Sequence, residues 1–208
     1  MNRAVIFLNG DCADLTHIKS YIDSKTLLIG CDGGSKHITA LGYKPYAIVG
    51  DFDSFDKSLL REDIEIIEHP EDKDYTDSEA AIRYAIKQGA GEVILVALLG
   101  RRVDHMLGNI YLLNKQDFVG IKLKIIEGNQ EIYMITGKVI IRGKKGDAIS
   151  FIPVFGDVKA EFSSGLKYDL AKYTLSLQGN TGISNEMISD MAEIDLGNRK
   201  LVVIHSRD

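Results

Sequence analysis

Short apolar runs alternate with stretches of helical period over the first part of the chain. Ala4 to Leu8, Thr26 to Cys31, Ala47 to Val49, Ile64 to Ile67, Glu92 to Leu98 and Leu123 to Ile126 read as strands. Between them, Leu15 to Ile22 (capped by Asp14), a segment from Asp32-Gly33-Gly34 through Leu41, Asp77 to Gln88 and Val103 to Asn114 read as helices, with Gly89 ending the third. The strand runs are continuously apolar, which suits a sheet covered on both faces. Strand–helix alternation predicts a doubly wound parallel sheet with right-handed crossovers. After Gly128 the helical period is lost. Val139 to Ile141, Ala148 to Pro153, Val158 to Phe162, Tyr173 to Leu177, Met191 to Leu196 and Leu201 to His205 read as strands. Turn sequences separate them, among them Gly143-Lys144-Lys145-Gly146-Asp147 and Leu196-Gly197-Asn198-Arg199. Short strands at this spacing predict an antiparallel β-sandwich or barrel. The expected organisation is an α/β domain over 1–128 and a β-sandwich domain over 129–208.

Composition changes this picture little. The 208 residues are 45% hydrophobic and 26% charged, ordinary for a soluble globular chain. The net charge of −5 argues against a general nucleic-acid surface. Cys12 and Cys31 have no framework spacing and read as reduced thiols of a cytoplasmic protein. The apolar run near Met1 is too short for a signal-peptide core, and no stretch is long enough to span a membrane.

Candidate chemistry changes it more. Polar clusters follow successive predicted strands: Asp32-Gly33-Gly34, then Gly50-Asp51-Phe52-Asp53-Ser54, then His69 to Asp77, then Gly100-Arg101-Arg102-Val103-Asp104-His105. A parallel sheet brings all such strand ends to one edge. Asp51 and Asp53 share a side if the chain stays extended, and two close carboxylates repel unless a cation or a proton intervenes. Mg²⁺ is the hard cation that suits them. The plain alternative is an acidic turn. Thr76 and Glu79 have capping-box spacing, and Asp77 in the first helical turn is favoured by the macrodipole without any metal. Asp74 precedes the cap and has no such reason. Gly33 and Gly34 either make a tight turn or let a phosphate approach the backbone. Arg101 and Arg102 suit a polyphosphate, and His105 suits an orienting role. Neither a Walker loop nor a dinucleotide fingerprint is present. The residues therefore point to Mg²⁺-dependent phosphoryl or pyrophosphoryl chemistry outside those families.

Taken in order, Asp32-Gly33-Gly34, Gly50-Asp51-Phe52-Asp53-Ser54, Lys73-Asp74-x-Thr76-Asp77 and Gly100-x-Arg102-x-Asp104-His105 resemble the motifs of thiamine pyrophosphokinases. Gly165-Leu166-Lys167-Tyr168-Asp169-Leu170 and Ile183-Ser184-Asn185-Glu186 resemble that family's C-terminal motifs. Arg101 stands where the family usually has a second glycine, and Asp169 where it often has proline. The resemblance implies a Rossmann-like domain joined to a β-sandwich domain, in a homodimer. It implies transfer of the pyrophosphoryl group of ATP to thiamine, giving AMP. It implies Mg²⁺ held by Asp51, Asp53 and Asp74 or Asp77, with Asp77 or Asp53 accepting the hydroxyl proton. Arg102 and Lys73 would meet the phosphates, and Asp32, Gly33, Gly34, Asp104 and His105 would lie along the nucleotide. Ser184 and Asn185 would meet the thiamine pyrimidine, although a β-turn also explains them. The rival readings are a pyrophosphokinase acting on a pterin alcohol, a Mg²⁺-dependent phosphohydrolase and a non-enzymatic dimerising module.

Overall fold

Every residue from Ala4 to Phe7 is fully buried, so the strand holding them is covered on both faces. That strand, β1 (Asn2–Phe7), lies at the centre of a parallel sheet in a computed structural model that describes residues 2–12, 14–50, 64–68, 74–99 and 102–207. The chain divides into two compact units, Met1–Gly128 and Asn129–Asp208, within a mixed α/β fold.

In the first unit β1 pairs in parallel with β2 (Leu27–Cys31) on one side and β5 (Ala90–Val96) on the other. β3 (Ala47–Gly50) and β4 (Glu65–Glu68) extend the sheet beyond β2, and β6 (Lys122–Glu127) extends it beyond β5. The order β6-β5-β1-β2-β3-β4 therefore reverses direction between β1 and β5. In open α/β sheets such a reversal opens a crevice outside the carboxyl ends of the strands.

α1 (Ser35–Ala40), α2 (Asp77–Lys87) and α3 (Val103–Leu112) connect strands. The segment expected as a helix over Leu15 to Ile22 is instead a 3₁₀ helix over Thr16–Tyr21. The Asp14 carboxylate accepts from Thr16 N at 2.7 Å, an i to i+2 bond that competes with the α-helical pattern. Leu15 and Ile18 still reach the core with Val5, Phe7 and Ile38. α2 starts where Thr76 Oγ1 accepts from Glu79 N at 3.3 Å, and past its end Gly89 takes a φ of +85°. Only half of the expected capping box forms. The buried Glu79 carboxylate turns to Arg83, 2.8 Å away, and to Lys115, 2.9 Å away.

In the second unit β7 (Gln130–Arg142) and β11 (Met191–Ser206) form a long antiparallel ladder. β8 (Ala148–Ile152) and β9 (Phe162–Ser164) pair with β11, and β10 (Asn185–Glu186) pairs with β8. The sequence Leu196-Gly197-Asn198-Arg199 is not the expected turn between two strands. It is a bulge inside β11, between the pairs Asp195–Lys138 and Lys200–Thr136, with Gly197 at a φ of +56°. The strands expected over Val158 to Phe162 and Tyr173 to Leu177 reduce to an isolated bridge, Val158 to Leu175. Ile149, Phe151, Ile194, Leu201 and Val203 form the core of this unit.

Gly34 has ordinary helical dihedrals, yet a Cβ there would strike the Phe7 carbonyl of β1. Gly108, inside α3, has open space at the same point. Gly34→Ala is expected to lose about 1–3 kcal/mol to overpacking, whereas Gly108→Ala should gain up to about 1 kcal/mol from helix propensity. Urea denaturation of both variants checks the opposite signs.

Candidate active site

The β1–β5 ladder continues past both strands. Leu8 N donates to Val96 O and Gly10 N donates to Ala97 O, each at 3.0 Å. Ala97 sits at a φ of +56°, and Asp32, just after β2, at +49°. Non-glycine residues held in the left-handed region are uncommon and cluster at functional sites. Here two of them border one crevice. A cleft of about 310 Å³ is lined by Asn9, Asp32, Thr76, Asp77, Arg102, His105 and Asn109, among others. It opens at the carboxyl edge of the sheet, where the strand order reverses.

Each wall has its own support. Asn9-Gly10 follows β1 and is held from α1. Lys36 Nζ donates to Asn9 Oδ1 at 3.0 Å, and His37 Nε2–H donates to the Gly10 carbonyl at 3.0 Å. Asp32 is half-buried, and its carboxyl occupies the space a Cβ at Gly50 would need, which sets it against the end of β3. The space beside Gly33 is taken by the Asn9 carboxamide, and that beside Gly34 by the Phe7 carbonyl. The loop after β5 is pinned by Glu127, whose Oε2 accepts from Leu98 N at 2.8 Å and Leu99 N at 3.3 Å. α3 contributes His105 and Asn109, four residues apart on one face, and Arg102 stands before it as the N-cap residue with extended backbone.

The residues expected from the sequence divide as follows. Asp32, Asp77, Arg102 and His105 line the cleft together. Asp104 is held beside it, because Arg102 grips its carboxylate with Nη2 at 2.5 Å and Nε at 3.1 Å. That guanidinium draws the Asp104 carboxyl down to about 2. Asp74 is exposed and is not part of the cleft lining. Asp51, Asp53, Lys73 and Arg101 lie outside the described residues. Among the described residues no group of three or more His, Cys, Asp or Glu forms a metal cluster. The cleft's described carboxylates, Asp32 and Asp77, are hard oxygen donors that fit Mg²⁺. Sequence reasoning missed Asn9, Gly10, Ser78 and Asn109. Asn9-Gly10 follows a strand like the other clusters, and Asn109 lies four residues after His105, so both signals were present.

Residues 18–125 match the family model described as thiamin pyrophosphokinase, catalytic domain, and residues 138–201 match that of the thiamin pyrophosphokinase, vitamin B1 binding domain. The chain belongs to the thiamine pyrophosphokinase family. It is 32% identical over 202 residues to the thiamine pyrophosphokinase of Bacillus subtilis strain 168, covering 94% of this chain and 92% of that one. A crystal structure of a thiamine pyrophosphokinase from B. subtilis superposes with a TM-score of 0.84 at 28% identity and covers all of both chains. The thiamin pyrophosphokinase of Candida albicans shares the fold, with a TM-score of 0.82 at 18% identity over 100% of this chain and 89% of that one.

The second unit of this thiamine pyrophosphokinase-family chain brings its two motifs together. Lys167 N donates to Glu186 O, and Lys167 Nζ reaches Glu186 Oε2, both at 2.9 Å. Asn185 is only 4% exposed, and its carboxamide is spent internally. Its Oδ1 accepts from Tyr168 N at 3.0 Å and Glu186 N at 2.8 Å, and its Nδ2 donates to Tyr168 O at 2.8 Å. Ser184 is exposed at a φ of +57°, its N donating to Ser150 Oγ at 3.0 Å. Asp169 works as a turn residue. Its Oδ1 accepts from Ala171 N at 2.9 Å and from Ser163 Oγ at 2.8 Å.

Burial lowers the His37 pKa from its ordinary 6.5, against the opposing pull of the Gly10 carbonyl. A depressed folded-state pKa gives stability that is fully present above the unfolded value and is lost as pH falls through the folded value. The urea midpoint of the protein should therefore drop between about pH 7.5 and about pH 5 more steeply than that of His37→Gln. Parallel curves would remove His37 from the acid limb.

Proposed function

We propose that this protein transfers the pyrophosphoryl group of ATP to the hydroxyl of thiamine, giving thiamine diphosphate and AMP. The observation that carries the reading is the cleft at the sheet's reversal point, which gathers Asp32, Asp77 and Arg102 in a chain of this family. The finer architecture we infer is a doubly wound, Rossmann-like nucleotide domain over 1–128 and a β-sandwich domain over 129–208 that serves thiamine binding and dimerisation. The complete parallel pairing of the first sheet and the antiparallel pairing of the second unit support it. The expected assembly is a homodimer acting in the cytoplasm. No helix among the described residues is long and apolar enough to cross a membrane.

In the proposed reaction the thiamine hydroxyl oxygen bonds to the β-phosphorus, and the bond from that phosphorus to the oxygen bridging it to the α-phosphorus breaks. AMP leaves with the bridging oxygen. The hydroxyl proton passes to a carboxylate, Asp77 or Asp53. Asp51 and Asp53, with Asp74 or Asp77, would hold Mg²⁺, which when bound offsets the negative charge of the triphosphate. Arg102 is aligned by its two bonds to Asp104, so a planar fork of fixed direction meets the phosphates. Lys73 adds a second cation, and Asp32, Gly33, Gly34 and His105 flank the nucleotide. Positioned charge of this kind supplies most of the catalysis in phosphoryl transfer.

Incubation with ATP, Mg²⁺ and thiamine should release AMP only when thiamine is present. Release dependent on hydroxymethylpterin would indicate a pterin pyrophosphokinase, and phosphate without any acceptor a phosphohydrolase. Arg102→Ala and Asp51→Asn should each lower kcat on the order of 10²-fold. Arg102 is an exposed side chain, so its variant should melt with the wild type; equal loss of activity and stability would assign it to folding.

The β-unit motifs yield a separate test. Ser184→Ala should raise the KM for thiamine while leaving the melting temperature unchanged. Asn185→Ala should instead destabilise by about 1–3 kcal/mol, because it removes three hydrogen bonds that the buried carboxamide makes to the Tyr168 and Glu186 backbone. Differential scanning calorimetry beside steady-state kinetics separates the two effects.

A further inference from the structure

Asn109 is a buried polar residue that the fold itself does not use. It is 6% exposed, on the α3 face that also carries His105, and it lines the same cleft as Arg102. Among the described residues no hydrogen bond to its carboxamide is found, and its amide atoms are not among the fully buried ones left without a partner, so they meet the open cleft. A carboxamide kept at the wall of a cleft, on a residue otherwise buried, calls for a reason. Asn185, in the second unit, shows what a structural carboxamide looks like here, with oxygen and nitrogen both engaged by backbone. Asn109 has instead an acceptor and two donors at the wall of the cleft, open to whatever fills it. With the cleft open, water can serve that amide. A ligand that fills the cleft displaces the water and must replace its hydrogen bonds or lose affinity.

We infer that Asn109 is a substrate-binding residue whose carboxamide pairs with the uncharged part of the nucleotide, its ribose or base. This rests on the pyrophosphokinase reading. The choice of nucleotide over thiamine follows from position. The cleft is built from the carboxyl ends of β1, β2 and β5 together with the starts of α2 and α3, and it lies at the reversal point of the sheet. Arg102, the N-cap residue of α3 and seven residues before Asn109, marks the phosphate end in that reading. Roughly two helical turns separate them, about 10 Å along the axis, a span that suits the reach from phosphates to nucleoside. A carboxamide offers a donor and an acceptor side by side, as nucleobase edges and ribose hydroxyls require.

The test is Asn109→Leu, close in size and without the amide. Binding of a non-hydrolysable ATP analogue with Mg²⁺ is measured by calorimetry for wild type and variant, alongside KM for thiamine and the melting temperature without ligand. The expected result is analogue affinity weakened about ten- to hundred-fold, an unchanged KM for thiamine, and a melting temperature equal to or above wild type. Unchanged analogue affinity overturns the inference, and so does a loss confined to thiamine. A lowered melting temperature with analogue affinity intact assigns Asn109 to folding and likewise overturns it. Asn109→Ser, which keeps a smaller donor and acceptor, should recover part of the lost affinity; no recovery would mean that side-chain volume, not hydrogen bonding, is read at this position. A wild type that neither binds the analogue nor makes AMP defeats the pyrophosphokinase reading itself, a result distinct from wild-type binding shared equally by the variant.

Discussion

Backbone hydrogen bonding between β1 and β5 runs beyond the ends of both strands, as far as Gly10 N–H on the Ala97 carbonyl. This ladder joins the two halves of a sheet whose order turns back on itself between these strands. The crevice has to open where neighbouring crossovers depart in opposite directions, and its floor is this backbone. A side chain at Gly10 would strike the carbonyls of Ala97 and Leu99, so the close approach depends on glycine at that point. His37 and Lys36 brace the same segment from α1, and Glu127 braces the strand-end loop opposite. The site is thus held by the protein's own hydrogen bonds before any ligand arrives, which is what preorganised electrostatic catalysis requires.

The glycines of the first and second motifs fit the same account. From the sequence Gly33 and Gly34 suggested either a tight turn or a backbone bared for phosphate. In the fold, the missing side chain of Gly33 makes room for the Asn9 carboxamide, that of Gly34 for the Phe7 carbonyl, and that of Gly50 for the Asp32 carboxyl. Each lets one wall of the cleft press on another. A short sequence motif can therefore matter to a phosphate site through internal packing, by fixing where Asp32 and Asn9 stand.

Much of this was legible in the sequence, for a physical reason. Strands buried on both faces must be continuously apolar, so β1, β2, β3 and β5 stood out, and the rule that parallel strands end on one edge brought Asp32, Asp77, Arg102 and His105 together. What was not legible depended on competing local bonds or on partners distant in sequence. Asp14 diverted a helix into a 3₁₀ turn through its own side chain. Gly197 and Asn198 looked like a hairpin turn because a bulge uses the same left-handed backbone. The segments around Val158 and Leu175 had strand-like composition, yet they meet at a single bridge. Glu79 had capping-box spacing, but Arg83 and Lys115 offered its carboxylate opposite charges.

Charge in the cleft is arranged to be used. Arg102 and Asp104 are both exposed, so their pairing adds little stability, yet two parallel bonds fix the plane and direction of the guanidinium. In the proposed reaction a triphosphate would meet an oriented fork and spend less entropy in ordering it. The same distinction between what the fold needs and what a ligand needs separates the two buried asparagines. Asn185 bonds the Tyr168 and Glu186 backbone with both ends of its carboxamide, so its amide is consumed by folding. The Asn109 amide has no such bond among the described residues, although an apolar side chain there would suit the buried face of α3. A fold that keeps an amide where it would be simpler to keep a leucine retains a hydrogen-bonding group for something outside itself.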